Sequence, residues 1–187
     1  MAFPVGVTQS MKSIFWLALL LVPFSMLGLQ QPPGLTDSVA QASPLFRDPF
    51  TLKLHLENGD TYVEHFDKVP FVADNVVYLF AGDNFGINLS ANGDEISGVT
   101  YQKDPRKSDM VFKFTQEKSI DGRFMMLLTI SSKLKHQVSL DALMTLPGKK
   151  GVYKTSILPV GPGLSNFESW PHPIVQLALR NFHFSQK

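Results

Sequence analysis

The stretch FTLKLHLENGDTYVEHF, residues 50–66, decides the fold class of this chain. Apolar residues stand at every second position from Phe50 to Leu56, which is typical of a β-strand with one buried face. Asn58-Gly59 follows, a pair that favours a hairpin turn because both residues tolerate positive φ. The alternation resumes from Thr61 to Phe66, so the stretch predicts an antiparallel hairpin.

The hairpin also predicts a register. A two-residue loop at Asn58-Gly59 would place Lys53 opposite Glu64, where the opposite charges stabilise the pairing. The same register would put His55 and His65 on opposite faces, because side chains alternate along a strand.

Similar alternation recurs at intervals of about 8–12 residues, with Gly, Asn, Asp and Pro between the segments. The further predicted strands are residues 75–80, 85–90, 96–102, 110–118, 123–131, 134–142 and 152–158. This pattern predicts an all-β, antiparallel β-sandwich, immunoglobulin-like or a related meander or Greek-key arrangement. A β-barrel is the runner-up.

The C-terminal segment, residues 174–184, allows two interpretations. Ile174 to Arg180 could form a helix, with Pro173 in its first turn. Asn181 to Phe184 alternates instead, which favours a closing strand with a bulge near Arg180, and the strand is our prediction.

Composition excludes several classes of protein. The chain has 187 residues, which suits one domain. Its 17 basic and 16 acidic residues give a net charge of +1, which argues against nucleic acid as a partner. The absence of cysteine excludes disulfides, thiolate zinc sites, iron–sulfur ligation and a cysteine nucleophile.

Residues 1–42 have the features of an export leader. Residues 14–29, IFWLALLLVPFSMLGL, are uncharged and follow Lys12. A spanning helix needs about 20 such residues, so this shorter run favours the h-region of a signal peptide. Cleavage after Ala42, past a polar linker, would release residues 43–187 as a single domain in the periplasm or outside the cell. The alternative is an uncleaved anchor that tethers the domain to the membrane.

Residues 161–173, GPGLSNFESWPHP, interrupt the hairpin rhythm and predict a long connection. Long structured loops often bind ligands. Phe167, Glu168, Trp170 and His172 could bind a sugar or peptide there, with the indole stacking below and polar groups at the rim. The alternative, which we favour, is that Trp170 plugs the core and the prolines cover one end of the sandwich.

Signatures of catalysis and of metal binding are missing. The chain has no G-x-S-x-G, H-E-x-x-H, P-loop or G-x-G-x-x-G motif, so no cofactor is predicted. The histidines lack metal-ligand spacing, and His136 is expected on a buried strand face. The Asx-Gly turns carry too few acids for calcium. A triad composed from Ser165 or Ser169 with His172 and Glu168 has no support beyond proximity in sequence.

Basic residues cluster in three predicted turns. The clusters are Lys103, Arg106 and Lys107; Lys133 and Lys135; and Lys149 and Lys150. If these turns share one end of the sandwich, they would form a positive patch facing lipid headgroups or an acidic polymer. The competing interpretation is that they only solubilise the loops and protect strand edges.

Three functions follow from these observations. The first is an exported, non-catalytic sandwich that binds a partner protein or a cell-envelope component through end loops or an edge strand. The second is a small-ligand or glycan-binding module that uses residues 161–173. The third is an envelope hydrolase with a site assembled across loops, which ranks last because no nucleophile is apparent.

Overall fold

The computed structural model describes residues 44–185. The predicted leader and the cleavage site after Ala42 lie outside the described residues. Within this range no helix has the length and apolar character needed to cross a membrane.

Strands make up most of the described chain. They are β1 (Phe50–His55), β2 (Thr61–Phe66), β3 (Val72–Ala73), β4 (Val76–Leu79), β5 (Asp83–Asn92), β6 (Glu95–Gln102), β7 (Met110–Lys118), β8 (Phe124–Ser132), β9 (Val138–Thr145), β10 (Tyr153–Thr155), β11 (Ser165–Trp170) and β12 (Gln176–Phe184). A short 3₁₀ turn, Pro105–Lys107, precedes β7.

The strands form two five-stranded antiparallel sheets and a separate hairpin. Sheet I has the order β10-β9-β12-β4-β3, sheet II has the order β11-β8-β7-β5-β6, and β1 pairs with β2 alone. Within the described residues neither sheet closes on itself, so the prediction of an all-β sandwich is confirmed and the barrel is not formed.

The core lies between the sheets and is built from alternate residues of each strand. Met126, Leu128 and Ile130 of β8 face Leu177 and Leu179 of β12, and all five are essentially inaccessible to solvent. Burying a side chain of this size contributes about 1.5–3 kcal/mol each. The strands between Phe50 and Phe184 supply a core of their own, so we expect this domain to fold without the leader.

The two ends of the sandwich differ. At the hairpin end, β1 and β2 cover the core, and the turns 119–123 and 146–151 lie nearby: the side-chain amide of Gln116 bonds to the backbone of His55. At the opposite end, residues 103–109 connect β6 to β7 and residues 133–137 connect β8 to β9. We call this the crossover end.

The crossover 103–109 needs a glycine beneath it. Because β6 and β7 flank β5, their connection must pass over β5 on the side away from the core. It passes at Gly86, where an added Cβ would lie 1.7 Å from the hydroxyl oxygen and 2.3 Å from the Cβ of Ser108. Only a residue without a side chain permits this approach.

Arg47 ties the beginning of the domain to the core. Its side chain is only 7% exposed and pairs with Asp83, at 2.6 Å between Nη2 and Oδ2. It also donates to the carbonyl oxygens of Pro70 and Tyr78, at 2.6 Å each. The guanidinium carbon lies 4.2 Å from the ring centroid of Phe71. The hydrogen bonds and the aromatic contact therefore offset the free-energy cost of removing this charge from water.

The predicted register of the first hairpin is wrong by one residue. Lys53 lies opposite Val63 and not Glu64. The loop contains three residues, and Gly59 at φ +89° closes it, with Leu56 N donating to the oxygen of Asp60. A three-residue loop contains one residue more than the predicted two-residue loop. Each residue of β1 therefore pairs with the β2 residue before the predicted one. His55 and His65 consequently share a face.

Two other predictions concerned the last third of the chain. Within residues 174–184 the strand is β12, Gln176–Phe184, and its register shifts between Arg180 and His183 with Asn181 at positive φ, as the bulge prediction requires. His136, however, is exposed in the turn before β9, which begins only at Val138. The apolar alternation therefore extended the predicted strand too far.

Candidate functional site

Trp170 occupies the core position that the plug interpretation predicts. It is 7% exposed, and its ring meets that of Phe114 edge-on at 6.4 Å between centroids. Its indole N–H donates to the hydroxyl of Thr155 at 2.9 Å. Because Thr155 belongs to sheet I and Trp170 to sheet II, the indole links the two sheets along one side of the sandwich.

The other predicted site residues do not converge on the indole. Residues 165–170 are strand β11, paired with β8 at all six positions, and not a loop. Phe167 and Trp170 therefore point to opposite faces of this strand. Glu168 turns inward, where its carboxylate accepts from the backbone N–H of Leu158 at 2.9 Å. His172 lies beyond the strand, with Nδ1 3.5 Å from the oxygen of Pro173.

Three large apolar side chains are exposed along this side of the molecule instead. Leu158, Leu164 and Phe167 are 69%, 60% and 78% exposed. Asn166 of β11 donates to the oxygens of Leu158 and Pro159, so residues 158–159 run beside the strand. We call β11 together with these three side chains the apolar edge. Several exposed large apolar side chains beside one edge strand favour an interaction site there.

Among the edges of the two five-stranded sheets in the described residues, β11 has the fewest protective features. It is a terminal strand of sheet II, has no proline, and its single charge, on Glu168, points inward. The opposite edge, β6, is partly capped because Asn75 accepts from the N–H of Val99 at 2.9 Å. The edges of sheet I, β3 and β10, have two and three residues. Short or capped edges discourage pairing with other chains. β11 has six residues, and residues 158–159 contact it through the side chains of Asn166 and Glu168 and not through its backbone.

The structure has a cleft at each end of the sandwich. At the hairpin end a cleft of about 460 Å³ is lined by residues that include His55, Phe124, Pro171 and Pro173. The rings of His55 and Phe124 stack at 4.0 Å between centroids. This cleft adjoins the end of the 161–173 segment and has the size of a small-ligand pocket.

A wider groove of about 1100 Å³ opens at the crossover end. The residues that line this groove include the acids Asp94 and Glu95 and the histidines His136 and His183. Among residues 44–185 no group of three potential ligands is positioned to hold a metal ion.

Titratable groups with shifted pKa values lie in local pairs and not in a shared pocket. Burial, together with the hydrogen bond to Glu64, raises the pKa of Tyr62 to about 12. The hydroxyl of Ser119 and the Arg123 guanidinium lower the pKa of Asp121 to about 2. The Ser165 hydroxyl contacts that of Ser131 at 2.8 Å, so its hydrogen-bond partner is another serine and not a histidine.

Two of the three basic clusters share one end. Lys133 donates from Nζ to the oxygens of Pro105 and Arg106, at 2.9 and 2.8 Å, which joins the second cluster to the first at the crossover end. Lys149 and Lys150 lie at the hairpin end, because they follow β9 beyond its pairing with Gln176. The expectation of one shared patch therefore applies to the first two clusters only.

The sequence contained weak signals for the apolar edge. SNFESW alternates, but the prolines on both sides made residues 161–173 resemble a loop. Leu164 lies in Gly- and Pro-rich surroundings where no strand was predicted. Leu158 ended the predicted strand 152–158, but the observed strand β10 contains only Tyr153–Thr155. Comparison with protein-family models, with curated proteins and with solved structures finds no match for this chain.

Proposed function

We propose that this protein is an exported, non-catalytic binding module that captures an extended segment of a partner protein in the cell envelope. The observation that carries the proposal is the apolar edge. Its six-residue terminal strand has no outward charge and exposes Phe167, and the exposed side chains of Leu158 and Leu164 lie beside it. In strand addition the backbone of an edge supplies hydrogen bonds and neighbouring side chains supply specificity.

The leader gives the setting of this proposal. An apolar run at residues 14–29 after Lys12 is typical of export, and cleavage after Ala42 would leave the whole sandwich free. The non-catalytic part of the proposal is supported by the dispersed positions of Ser165, Glu168 and His172, which leave no activated nucleophile at this edge.

Site-specific photo-crosslinking in the host tests the edge directly. A photoreactive phenylalanine analogue at position 167 should crosslink to one discrete protein, because this exposed side chain would neighbour the side chains of the added strand. The same analogue at Ile120 is the matched control, since Ile120 is fully exposed in a turn at the hairpin end. Absence of a crosslink at 167, or the same products at both positions, would contradict the proposal.

A second experiment separates binding from folding. Phe167→Ser and Leu158→Ser should each weaken capture of the crosslinked partner by tenfold or more, about 1.4 kcal/mol. Neither should change the free energy of unfolding by more than about 0.5 kcal/mol, because both side chains are exposed. Ile120→Ser should leave both quantities unchanged.

A small-ligand module remains the second candidate, favoured by the cleft at the hairpin end. Trp170 adjoins Pro171 of that cleft and is the only tryptophan of residues 43–187, so its fluorescence reports on both. We expect a blue-shifted emission from the buried indole. Titration with a panel of sugars and short peptides should leave this emission unchanged if the cleft is only structural. A saturable shift, lost in Glu57→Gln at the cleft lining, would favour the small-ligand function instead.

A further inference from the structure

The joined basic clusters form a surface that none of the functions above uses. Lys103, Arg106 and Lys107 lie in the crossover, and Lys133 reaches it from the end of β8. All four side chains are exposed. We call these four residues the basic surface. It concentrates positive charge in a chain whose net charge is only +1.

The acids within this region are already engaged. Asp104 accepts from the backbone N–H and from Nε of Arg106, at 3.0 and 3.1 Å. The pKa of Asp104 is lowered, first by its hydrogen bond to Arg106, and the positive charges of Lys107 and Lys133 act in the same direction. Asp109 accepts from the N–H of Leu89 at 2.8 Å. Both carboxylates are therefore bonded within the domain, and the Asp104–Arg106 ion pair offsets part of the positive charge of the basic surface.

The geometry of the crossover keeps these charges together. The crossover is held against β5 because Ser108 packs over Gly86, and the Asp109 N–H donates to the oxygen of Ile87 at 2.9 Å. Lys133 N donates to the oxygen of Asp109 at 2.8 Å. The backbone that carries the basic residues is thus fixed by three separate contacts, so the positive side chains project from a defined platform.

We propose that the basic surface binds the anionic headgroups of a phospholipid membrane. Charge complementarity supports this occupant, since phosphate-bearing headgroups attract clustered lysines and arginines. The predicted leader would bring the chain to a membrane during export. The anionic headgroups of that membrane are therefore a polyanion that the domain would meet. Asp94 and Glu95, the acids at the tip of the β5–β6 hairpin, line the groove with His136 and do not belong to this surface.

The surface is distinct from the apolar edge. Its residues belong to the crossover and to the end of β8, whereas the edge consists of β11 with Leu158, Leu164 and Phe167. Because the crossover passes over the outer face of β5, lipid binding would turn this part of sheet II toward the bilayer. Either proposal can fail without the other.

Vesicle co-sedimentation of residues 43–187 tests the inference. The protein should bind phosphatidylcholine vesicles only when they contain phosphatidylglycerol, and rising salt should release it because screening weakens the attraction. Each lysine at a membrane surface changes the partition coefficient about fivefold. Lys103→Gln with Lys107→Gln should therefore weaken binding about 30-fold.

The matched control removes the same charge from the other end. Lys149→Gln with Lys150→Gln has the same net charge as the first double variant, yet it should weaken binding less than twofold. Equal losses in the two double variants would show that net charge alone drives binding and would overturn the inference. Absence of binding to phosphatidylglycerol vesicles would overturn it as well. Tighter binding to inorganic polyphosphate than to the vesicles would assign the surface to a soluble polyanion and not to a membrane.

Discussion

Arg47→Met should lower the free energy of unfolding by about 3–5 kcal/mol, the range expected when one partner of a buried ion pair is removed. The substitution keeps most of the aliphatic packing but removes the bonds to Asp83, Pro70 and Tyr78. Asp83 would keep its bond to the N–H of Phe80 and lose its positive partner. Urea denaturation followed by Trp170 fluorescence measures the effect in residues 43–187.

Two controls distinguish the effect of breaking the buried pair from the effect of removing any arginine. Arg106→Met removes an exposed arginine that also pairs with an aspartate, and it should change stability by no more than about 0.5 kcal/mol. In a double-mutant cycle, Asp83→Asn should recover part of the loss caused by Arg47→Met, since it removes the unpaired charge. A loss below about 1 kcal/mol for Arg47→Met would show that the buried Arg47–Asp83 pair does not stabilise the fold.

Gly86→Ala is expected to lower the free energy of unfolding by about 3 kcal/mol, the upper end of the range for overpacking. The new methyl group would lie 1.7 Å from the hydroxyl oxygen of Ser108, and 3.2 Å from the backbone oxygen of Met110. The crossover would have to lift from β5, which would also disturb the contacts that position the basic surface. Thermal unfolding and chemical denaturation of residues 43–187 both measure the loss.

Gly98→Ala is the matched control in the neighbouring strand. A Cβ at position 98 would meet its nearest atom, the Cβ of Ser90, at 3.4 Å, which is an ordinary contact. This variant should stay within about 0.5 kcal/mol of the wild type. Adding Ser108→Gly to Gly86→Ala should restore part of the stability, because it removes the two closest atoms. If Gly86→Ala unfolds at the wild-type denaturant concentration, the crossover does not need the glycine.

Local sequence predicted the strands well where one face is buried. Met110 to Lys118 is a strand with the predicted bounds, and the bulge of β12 lies where the alternation changed near Arg180. These features depend on side-chain periodicity within a few residues, which the sequence contains directly. The first hairpin was located correctly for the same reason, but its register depends on loop conformation and was predicted one residue off.

The candidate site was less predictable because it depends on contacts between distant segments. The proline-rich surroundings concealed β11, and only its pairing with β8 shows that Phe167 and Trp170 point apart. The core position of Trp170 was foreseen as one of two alternatives. Its bond to Thr155, however, depends on how the two sheets stack, and no local pattern encodes that arrangement.

The sequence by itself determined that this chain forms an antiparallel β-sandwich, because alternating apolar residues require a buried face on each strand. Only the tertiary structure decided which residues meet. It placed Arg47 beside Asp83, brought Lys133 to the crossover and made β11 the terminal strand of sheet II. The physical reason is that these contacts join residues separated by many positions, so their formation depends on strand order, register and sheet stacking.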